Sequence, residues 1–398
     1  MTPSVLTING GSSSIRFAIF EAGPTPQRQL GGRIDRIGTR QATLTVDDAD
    51  GLERRERFAT RGRRAAVAAL LDWLGAHPAF ASVGAVGHRV VHGLTHTEPE
   101  RITPRLVAEL RRLTPYAPDH LPWEIALIEA CQRRYPRVPQ VACFDTAFHR
   151  TLPPVARRLP IPRRYADRGV ERYGFHGLSY ASLMDALGRL DAAAARGRVI
   201  LAHLGSGASL AAVRAGKCVD TSMGFTPAAG LMMSTRSGDL DPGLAGYLAR
   251  TERMSPARFE RLVNHECGLL GVSGTSADVR DLLARQAHDA RAREAITLFC
   301  YQATKWIGAF AAALSGLDTL VFAGGIGEHA PLVRQRICRG LGWIGIDLDP
   351  GRNRRNAPLI SRDAGRVRVR VIPTDEERMI ATDVLRILNR RPRRPRRS

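Results

Sequence analysis

The sequence predicts an α/β fold built from two similar domains. Residues 5–20 and 199–213 share one pattern, an apolar strand, a turn rich in glycine and serine, and a second apolar strand. A third apolar run, 317–323, enters another glycine turn at 324–328. Because the two hairpins each stand near the start of one half of the chain, they indicate an internal duplication.

Helical patterns alternate with these strands, and this mixture is typical of α/β proteins. The clearest helical segments are residues 65–74, 122–131 and 295–314. A length of 398 residues also favours two domains. We place them at residues 1–150 and 151–374, with the proline- and arginine-rich stretch 153–164 as the crossing.

The end of the chain is expected to return to the first domain. A strand at 367–372 precedes Thr374, and Glu377 follows three residues later, which is the pattern of a capping box. It predicts a helix over 375–389 that packs back on the first domain. The arginine-rich tail 390–398 is predicted to be disordered.

The glycine turns suggest a phosphate site. The tip around Gly10, Gly11 and Ser12 is dense in hydrogen-bond donors, and two positions lack a side chain that would block an anion. The spacing of a Walker loop is absent. One such turn is equally consistent with an ordinary hairpin, but three at corresponding places favour a nucleotide held in a cleft between two domains.

Composition narrows the class of protein. The formal net charge is +21, yet Lys217 and Lys305 are the only lysines and the arginines are spread along the chain, without a nucleic-acid-binding signature. No run of eighteen apolar residues predicts a membrane span. The six cysteines lack a CxxC pair, which together with the missing signal-peptide pattern predicts reduced thiols in a cytoplasmic protein.

Several polar residues stand where a plain core would not need them. Arg89 lies in GHRVVHG, Asp145 in VACFDTAFH, His176 in ERYGFHG and Arg236 in STRSGDLDP. Each has a structural explanation when taken alone. His88 and His92 are expected to be packed, hydrogen-bonded histidines, Asp145 could cap a helix, and Arg236 could pair with Asp239 or Asp241.

Taken together, these motifs resemble the acetate/propionate kinase family over residues 5–383. The resemblance also rests on INGGSSSIRFAIF, AHLGSGASLAAV, VFAGGIGEHA and RVIPTDEE. It implies the duplicated βββαβαβα, ribonuclease H-like fold of sugar kinases, Hsp70 and actin, usually as a homodimer. The implied reaction is reversible phosphoryl transfer between ATP and acetate, giving acetyl phosphate and ADP with Mg²⁺, for which Mn²⁺ can substitute. Propionate or another short-chain acid is the alternative substrate.

The resemblance also assigns roles to individual residues. Those implied in catalysis are Asp145, His176 and Arg236. Those implied in binding the acid are Arg89, Val91, His120, Phe175 and Pro227. Those implied in binding the nucleotide are Arg16, His203, Leu204, Gly205, Ser206, Gly207, Asp278, Val279, Arg280, Gly324, Gly325, Ile326, Gly327 and Glu328. Asn9 and Glu376 match the magnesium positions, and both offer the oxygen ligands that a hard cation prefers.

The chemistry of the implied reaction explains these residue types. A loose phosphoryl-transfer transition state carries negative charge, so catalysis depends on positioning and positive charge. A carboxylic acid is already ionised at pH 7 and needs no general base. Asp145 is therefore expected to organise Mg²⁺ and the arginines.

Two departures from the family pattern bear on function. Arg16 replaces the usual lysine, and Asp119 replaces a leucine that lines the acid pocket. Either Asp119 turns to solvent or pairs with an arginine, or the pocket accepts a more polar acid, because an unpaired buried carboxylate costs several kcal/mol. A chaperone-like ATPase and a nucleic-acid-binding protein are the alternatives from other classes.

Overall fold

The computed structural model describes residues 3–11, 14–37, 39–48, 52–58, 60 and 62–389. The predicted basic tail, 390–398, and Ser12 and Ser13 of the first hairpin turn lie outside the described residues. The chain divides into two compact units. Unit 1 comprises residues 1–147 and 375–398, and unit 2 comprises residues 148–374.

The described strands are β1 Ser4–Gly10, β2 Ser14–Glu21, β3 Gln27–Asp35, β4 Thr43–Asp48, β5 Glu53–Arg57, β6 Val83–Val90, β7 Glu100–Arg101, β8 Gln140–Phe144, β9 Arg198–Leu204, β10 Ala208–Arg214, β11 Lys217–Thr221, β12 Thr319–Ala323 and β13 Arg368–Val371. The described α-helices are α1 Arg63–Ala76, α2 Pro104–Arg112, α3 Leu121–Arg134, α4 Pro154–Arg157, α5 Arg163–Ala166, α6 Gly177–Leu190, α7 Ala192–Arg196, α8 Gly243–Thr251, α9 Pro256–His265, α10 Gly268–Ser273, α11 Val279–Arg285, α12 Ala290–Ala313, α13 Gly324–His329, α14 Pro331–Arg339, α15 Pro350–Arg354 and α16 Glu376–Asn389. Short 3₁₀ turns cover Pro78–Ser82, Thr114–Tyr116, Asp145–Thr151 and Gly342–Ile344.

The two units contain sheets of the same topology. In unit 1 the described strands lie in the order β5-β4-β3-β2-β1-β6-β8-β7, and in unit 2 in the order β11-β10-β9-β12-β13. The strands β3-β2-β1-β6-β8 of unit 1 correspond to β11-β10-β9-β12-β13 of unit 2. If these five strands are numbered by their order along the chain within each unit, both sheets have the order 3-2-1-4-5. The first three strands pair antiparallel, whereas the first, fourth and fifth pair parallel. The predicted duplicated α/β fold is confirmed at the level of strand order.

Apolar side chains determine where the layers meet. Every residue of β1 and of β8 is buried, as expected for strands covered on both faces. One core of unit 1 joins this sheet to α1 and α3, and one core of unit 2 joins β9, β10 and β12 to α6. Among the described residues, no helix is both long and apolar enough to span a membrane.

The last helix returns to unit 1, where α16 packs on β1 and β6. Gly87 makes this close approach possible, because a Cβ at that position would collide with Ile380 and Val384. The predicted capping box is wrong. Asp375 caps the helix by accepting a hydrogen bond from the Arg378 N–H at 2.9 Å, whereas the Thr374 hydroxyl donates to Ser179 at 2.8 Å.

Candidate active site

In unit 1, three predicted site residues lie at the carboxyl ends of parallel strands. Asn9 is near the end of β1, Arg89 near the end of β6, and Asp145 directly follows β8. These strands are neighbours in the order β1-β6-β8, so the three side chains start from one edge of the sheet. That edge is where open α/β sheets bind their ligands.

Arg89 and Asp145 form the centre of this cluster. Asp145 Oδ2 accepts hydrogen bonds from Arg89 Nε at 2.9 Å and from Nη2 at 2.6 Å. Asp145 therefore occupies the Nε/Nη2 edge of the guanidinium, and Nη1 donates to the Gly10 carbonyl at 3.4 Å. The Nη1/Nη2 edge, whose parallel N–H groups match a carboxylate or phosphate, is not taken by Asp145. The Arg89 side chain is 13% exposed, so a small anion can reach it.

The other side of Arg89 meets Glu124, a residue that sequence reasoning missed. Glu124 Oε1 lies 3.6 Å from Arg89 Nη1, and Glu124 Oε2 accepts a hydrogen bond from the Val91 N–H at 2.9 Å. The Glu124 side chain is 2% exposed, and its Oε1 has no hydrogen-bond partner among the described residues. Burial raises the pKa of Glu124 to about 7, although the Arg89 charge acts in the opposite direction.

Charge also sets the protonation of Arg89 itself. Desolvation lowers the pKa of Arg89, but the charges of Asp145, Glu124 and Glu376 outweigh this and raise it above its usual value. The guanidinium is therefore charged at neutral pH.

Asn9 and Glu376 meet beside this pair. Asn9 Nδ2 donates to Glu376 Oε2 at 2.8 Å and to Glu377 Oε1 at 3.3 Å. Burial and the Asp145 charge raise the pKa of Glu376. Arg16 is paired with Asn9 across the β1–β2 hairpin, and its charge opposes this rise. The Asn9 amide and the Glu376 carboxylate thus lie together near Arg89.

The predicted acid-pocket residues of unit 1 differ in exposure. Val91 is buried, and His120 is half-buried just before α3. Asp119 is exposed, so the carboxylate that replaces the usual pocket leucine is not buried. Its position supports the expectation that Asp119 turns to solvent.

In unit 2, two histidines stack beside a glycine turn. His203 is the last residue but one of β9, and the turn Gly205–Gly207 joins β9 to β10. The His176 and His203 ring centroids are 4.4 Å apart. A Cβ at Gly207 would lie 3.1 Å from His176 Nε2, and a Cβ at Gly205 would lie 3.7 Å from His203 Nε2. Both Nε2 atoms therefore lie against the turn.

Backbone conformation places His176. Its φ of 58° is left-handed, which is uncommon for a residue with a side chain and concentrates at functional sites. Gly174, with φ of 73°, precedes it, and a Cβ there would meet His149 at 2.7 Å. The short glycine-flanked segment therefore fixes the direction in which the imidazole leaves the backbone.

Arg236 approaches the same turn. A Cβ at Gly207 would lie 3.8 Å from Arg236 Nη1, and Nη1 donates to the Pro227 carbonyl at 3.4 Å. The two acids considered as ion-pair partners each accept a backbone hydrogen bond, Asp239 from the Gly230 N–H and Asp241 from the Gly243 N–H. The guanidinium is thus directed to the turn. Phe175, the apolar residue beside His176, is buried.

Two further predicted nucleotide segments form helix starts. Gly324 begins α13 directly after β12, and Glu328 Oε1 accepts a hydrogen bond from the Gly324 N–H at 2.8 Å. Asp278 caps α11 and pairs with Arg280 at 2.6 Å. The Glu328 and Asp278 carboxylates therefore accept hydrogen bonds from their own segments and stabilise the backbone at the start of each helix.

Two comparisons with known proteins bear on this geometry. The model of the acetokinase family matches residues 4–382. The chain belongs to the acetokinase family. It is 44% identical to the acetate kinase of Methylocella silvestris over 98% of this chain and 99% of that protein. It is also 43% identical to the propionate kinase of Citrobacter rodentium over 97% of each chain.

A solved structure agrees. The crystal structure of Porphyromonas gingivalis acetate kinase has a TM-score of 0.87 and 35% identity, covering 97% of this chain and 100% of that one. The predicted family is thus confirmed over nearly the whole length. In unit 1, Asp145 lies against Arg89, and in unit 2, His176 and Arg236 approach Gly207.

The histidines that sequence analysis set aside prove to be packed, as predicted for His88. Its side chain is buried and its Nε2 hydrogen bonds with Gln140 Oε1 at 2.8 Å. His92 is also buried, and its Nδ1 accepts a hydrogen bond from the Leu94 N–H at 3.0 Å, as predicted. Burial lowers the pKa of both His88 and His92 to about 4. These neutral imidazoles belong to the core of unit 1.

Proposed function

We propose that the chain is an acetate kinase, which transfers the γ-phosphoryl group of ATP reversibly to acetate and forms acetyl phosphate and ADP. The observation that carries the proposal is the Arg89–Asp145 pair. It fixes a partly exposed guanidinium with its carboxylate-binding edge unoccupied by Asp145. A non-catalytic ATP-driven clamp has no need for such a group.

The proposed division of roles follows from charge. Arg89 holds the acid in unit 1, where Val91 and His120 are the other proposed acid-binding residues. Phe175 and Pro227 keep the acid-binding role that the family resemblance implies. His176 and Arg236 donate to the transferring phosphoryl group, whose equatorial oxygens carry the negative charge of the transition state. The acid attacks as an ionised carboxylate, so Asp145 acts by holding Arg89 rather than by taking a proton.

Mg²⁺ fits the residues of unit 1. Asp145 Oδ1 is buried without a hydrogen-bond partner among the described residues, and Asn9 and Glu376 supply further oxygens. In that described part, no three His, Cys, Asp or Glu side chains surround one point. Mg²⁺ commonly binds through one or two protein oxygens plus phosphates and water. When bound, it would neutralise phosphate charge, and Mn²⁺ is expected to substitute.

Nucleotide phosphates are assigned to Gly205–Gly207 and His203 in unit 2. The remaining nucleotide contacts proposed are Arg16, Leu204, Ser206, Asp278, Val279, Arg280, Gly324, Gly325, Ile326, Gly327 and Glu328. A homodimer in the cytoplasm completes the proposal. Light scattering after gel filtration tests the dimer, and a monomer across the working concentration range would contradict it.

A substrate panel tests the reaction. Acetate, propionate, butyrate and glycolate are each supplied with ATP and Mg²⁺, and acyl phosphate is trapped as the hydroxamate. We expect acetate to give the highest kcat/KM. If no acid gives an acyl phosphate, the kinase proposal is refuted. ATP hydrolysis at a rate independent of the acid would favour the ATP-driven clamp.

Propionate is the second candidate, because the chain is almost equally identical to a propionate kinase and to an acetate kinase. One methylene in an apolar pocket discriminates by only about 10- to 200-fold. The ratio of kcat/KM for acetate and propionate therefore decides between them, and a ratio below one assigns propionate.

Arg236→Ala tests the catalytic assignment. Removing a positive charge from a phosphoryl-transfer site is expected to lower kcat by at least about 100-fold. Arg261→Ala is the matched control, since that side chain is 74% exposed in the same unit. Near-normal turnover of Arg236→Ala would contradict the assignment.

A further inference from the structure

The stacked side chains of His176 and His203 each hydrogen bond through Nδ1 with a buried serine. His176 Nδ1 hydrogen bonds with Ser209 Oγ at 2.8 Å, and His203 Nδ1 hydrogen bonds with Ser179 Oγ at 2.8 Å. Both serines are fully buried. The strand register explains one of them, because Ser209 lies opposite His203 across the β9–β10 pair.

A second hydroxyl stands behind each serine. Tyr180 Oη is 2.5 Å from Ser209 Oγ, and Thr374 Oγ1 donates to Ser179 Oγ at 2.8 Å. Tyr180 is fully buried on α6. Each imidazole is thus the last member of a three-group chain, Tyr180–Ser209–His176 in one case and Thr374–Ser179–His203 in the other.

The chemistry of the groups sets the direction of each chain. A phenol, with a pKa near 10, is a stronger donor than an alkyl hydroxyl, so Tyr180 donates to Ser209. A hydroxyl has only one proton. Since Ser209 Oγ accepts from Tyr180, it donates its own hydrogen bond to His176 Nδ1. A neutral imidazole that accepts at Nδ1 carries its proton on Nε2. The same argument applies to His203, because Thr374 donates to Ser179.

We propose that these two hydroxyl chains are positioning devices that hold His176 and His203 as neutral Nε2–H tautomers. Both N–H groups then face the Gly205–Gly207 turn as donors to one phosphate chain. The inference rests on the proposed phosphoryl transfer. It assigns Ser209, Tyr180 and Ser179 to that reaction although none of them touches the reacting atoms.

The choice of tautomer matters because phosphate oxygens only accept hydrogen bonds. An Nδ1–H tautomer would turn a lone pair toward them and replace attraction by repulsion. In a serine protease whose histidine is forced into the wrong tautomer, kcat falls by about 10⁴. Here one imidazole of two is affected at a time, so a smaller loss is expected.

The test combines kinetics with a direct view of the ring protons. Ser209→Ala removes the hydroxyl that donates to His176 Nδ1, and Tyr180→Phe removes only the hydroxyl that donates to Ser209. Long-range ¹⁵N–¹H NMR of ring-labelled enzyme without nucleotide reports the tautomer of each histidine, with His176→Gln used to assign the signal. Thr304→Ala is the control, since it deletes a hydroxyl that bonds helix carbonyls of α12 and α14.

We expect His176 to be an Nε2–H tautomer in the wild type and a mixture in Ser209→Ala. The kcat of Ser209→Ala should fall by roughly 10- to 100-fold with KM for acetate changed little, and Tyr180→Phe should lie between it and the wild type. Thr304→Ala should change neither the tautomer nor kcat.

Two results would overturn the inference. One is a wild-type His176 that carries its proton on Nδ1, and the other is Ser209→Ala with an unchanged tautomer, whatever its rate. The NMR readout needs no turnover. A failed substrate panel would therefore refute the proposed function alone and leave this assignment to be judged separately.

Discussion

Glu124 makes the stability of the protein depend on pH in a way that one substitution isolates. The carboxyl is buried in the first turn of α3, with Val91 N–H on Oε2 and Arg89 Nη1 3.6 Å from Oε1. Glu124→Gln keeps the shape and an acceptor for Val91 but cannot ionise. The prediction concerns the difference in unfolding free energy between this variant and the wild type.

The sign follows from the direction of the pKa shift. Burial raises the pKa of Glu124 from 4.5 to about 7 in the folded protein. Between these values the folded chain retains a proton that the unfolded chain has lost. The stabilising contribution of Glu124 is therefore fully present below about pH 4.5 and is lost as the pH rises through about 7.

The size follows from the same two values. A shift from 4.5 to about 7 corresponds to on the order of 3 kcal/mol of unfolding free energy. Relative to the wild type, Glu124→Gln should therefore gain up to about 3 kcal/mol between pH 5 and pH 8. The raised pKa values of Glu376 and Glu377 affect both proteins and largely cancel in the difference.

Urea unfolding at pH 5 and pH 8, followed by tryptophan fluorescence, measures the difference. Trp123 lies next to Glu124 in the sequence and reports on unit 1. Glu129→Gln is the control, because it removes a carboxylate from the same helix at a half-buried position that pairs with Arg111. A Glu124→Gln difference that is equal at the two pH values, or that shrinks at pH 8, would refute the reasoning.

Three substitutions test the rest of the site. Arg89→Lys keeps the charge but loses the planar guanidinium, so kcat/KM for the acid should fall by at least about 100-fold in the hydroxamate assay. A loss of less than about tenfold would contradict the proposal that the planar guanidinium binds the acid. Gly207→Ala brings a Cβ to 3.1 Å from His176 Nε2, and we expect kcat to fall by about tenfold or more at an unchanged melting temperature; a rate equal to the wild type would argue against the phosphate turn. Asn9→Ala removes the donor to Glu376, and the half-saturating Mg²⁺ concentration in a titration should rise by about 10- to 100-fold, whereas an unchanged value would remove Asn9 from the metal site.

Local sequence patterns were sufficient to predict the strands that form the centre of each sheet. The repeated strand–turn–strand pattern predicts the first two strands of each sheet, and the structure places β1–β2 and β9–β10 there. Glycine turns after strands also predict where ligand-binding edges lie. These signals are local, since they depend on alternation, turn residues and chain direction over fewer than twenty residues.

The support of the site could not be predicted in this way. Glu124 stands in an apolar helix turn, where a single acid is equally typical of a helix start, and only tertiary packing brings it to Arg89. Ser209 is the second residue of β10, a strand that is otherwise apolar and buried up to its last residue, Arg214. That interruption was the available signal for a buried polar network, but its partner Tyr180 comes from another element.

The mistaken capping box shows the same limit. Thr374 and Glu377 have the required spacing, and Asp375 is an equally good capping residue one position later. The structure uses Asp375 for the helix, which leaves the Thr374 hydroxyl for Ser179 and thereby for His203. Asp375 therefore caps the helix, and Thr374, one residue earlier, is left to hydrogen bond with the serine that contacts His203.

The duplication explains why the two edges can carry opposite chemistry. Both sheets have the order 3-2-1-4-5, so each offers the same carboxyl-end positions on its first, fourth and fifth strands. Unit 1 fills its edge with Asn9, Arg89 and Asp145, to which α16 adds Glu376, and this set suits a metal ion and a carboxylate. Unit 2 fills the equivalent edge with His203 and a glycine turn, which supplies N–H donors and suits phosphate. Strand pairing and apolar burial give the two sheets the same backbone order, whereas the side chains at their carboxyl-end edges differ. Of the two departures from the family pattern, Arg16 stands opposite Asn9 in the first hairpin, and Asp119 lies in the turn before α3. Both side chains are exposed, so neither departure disturbs a core.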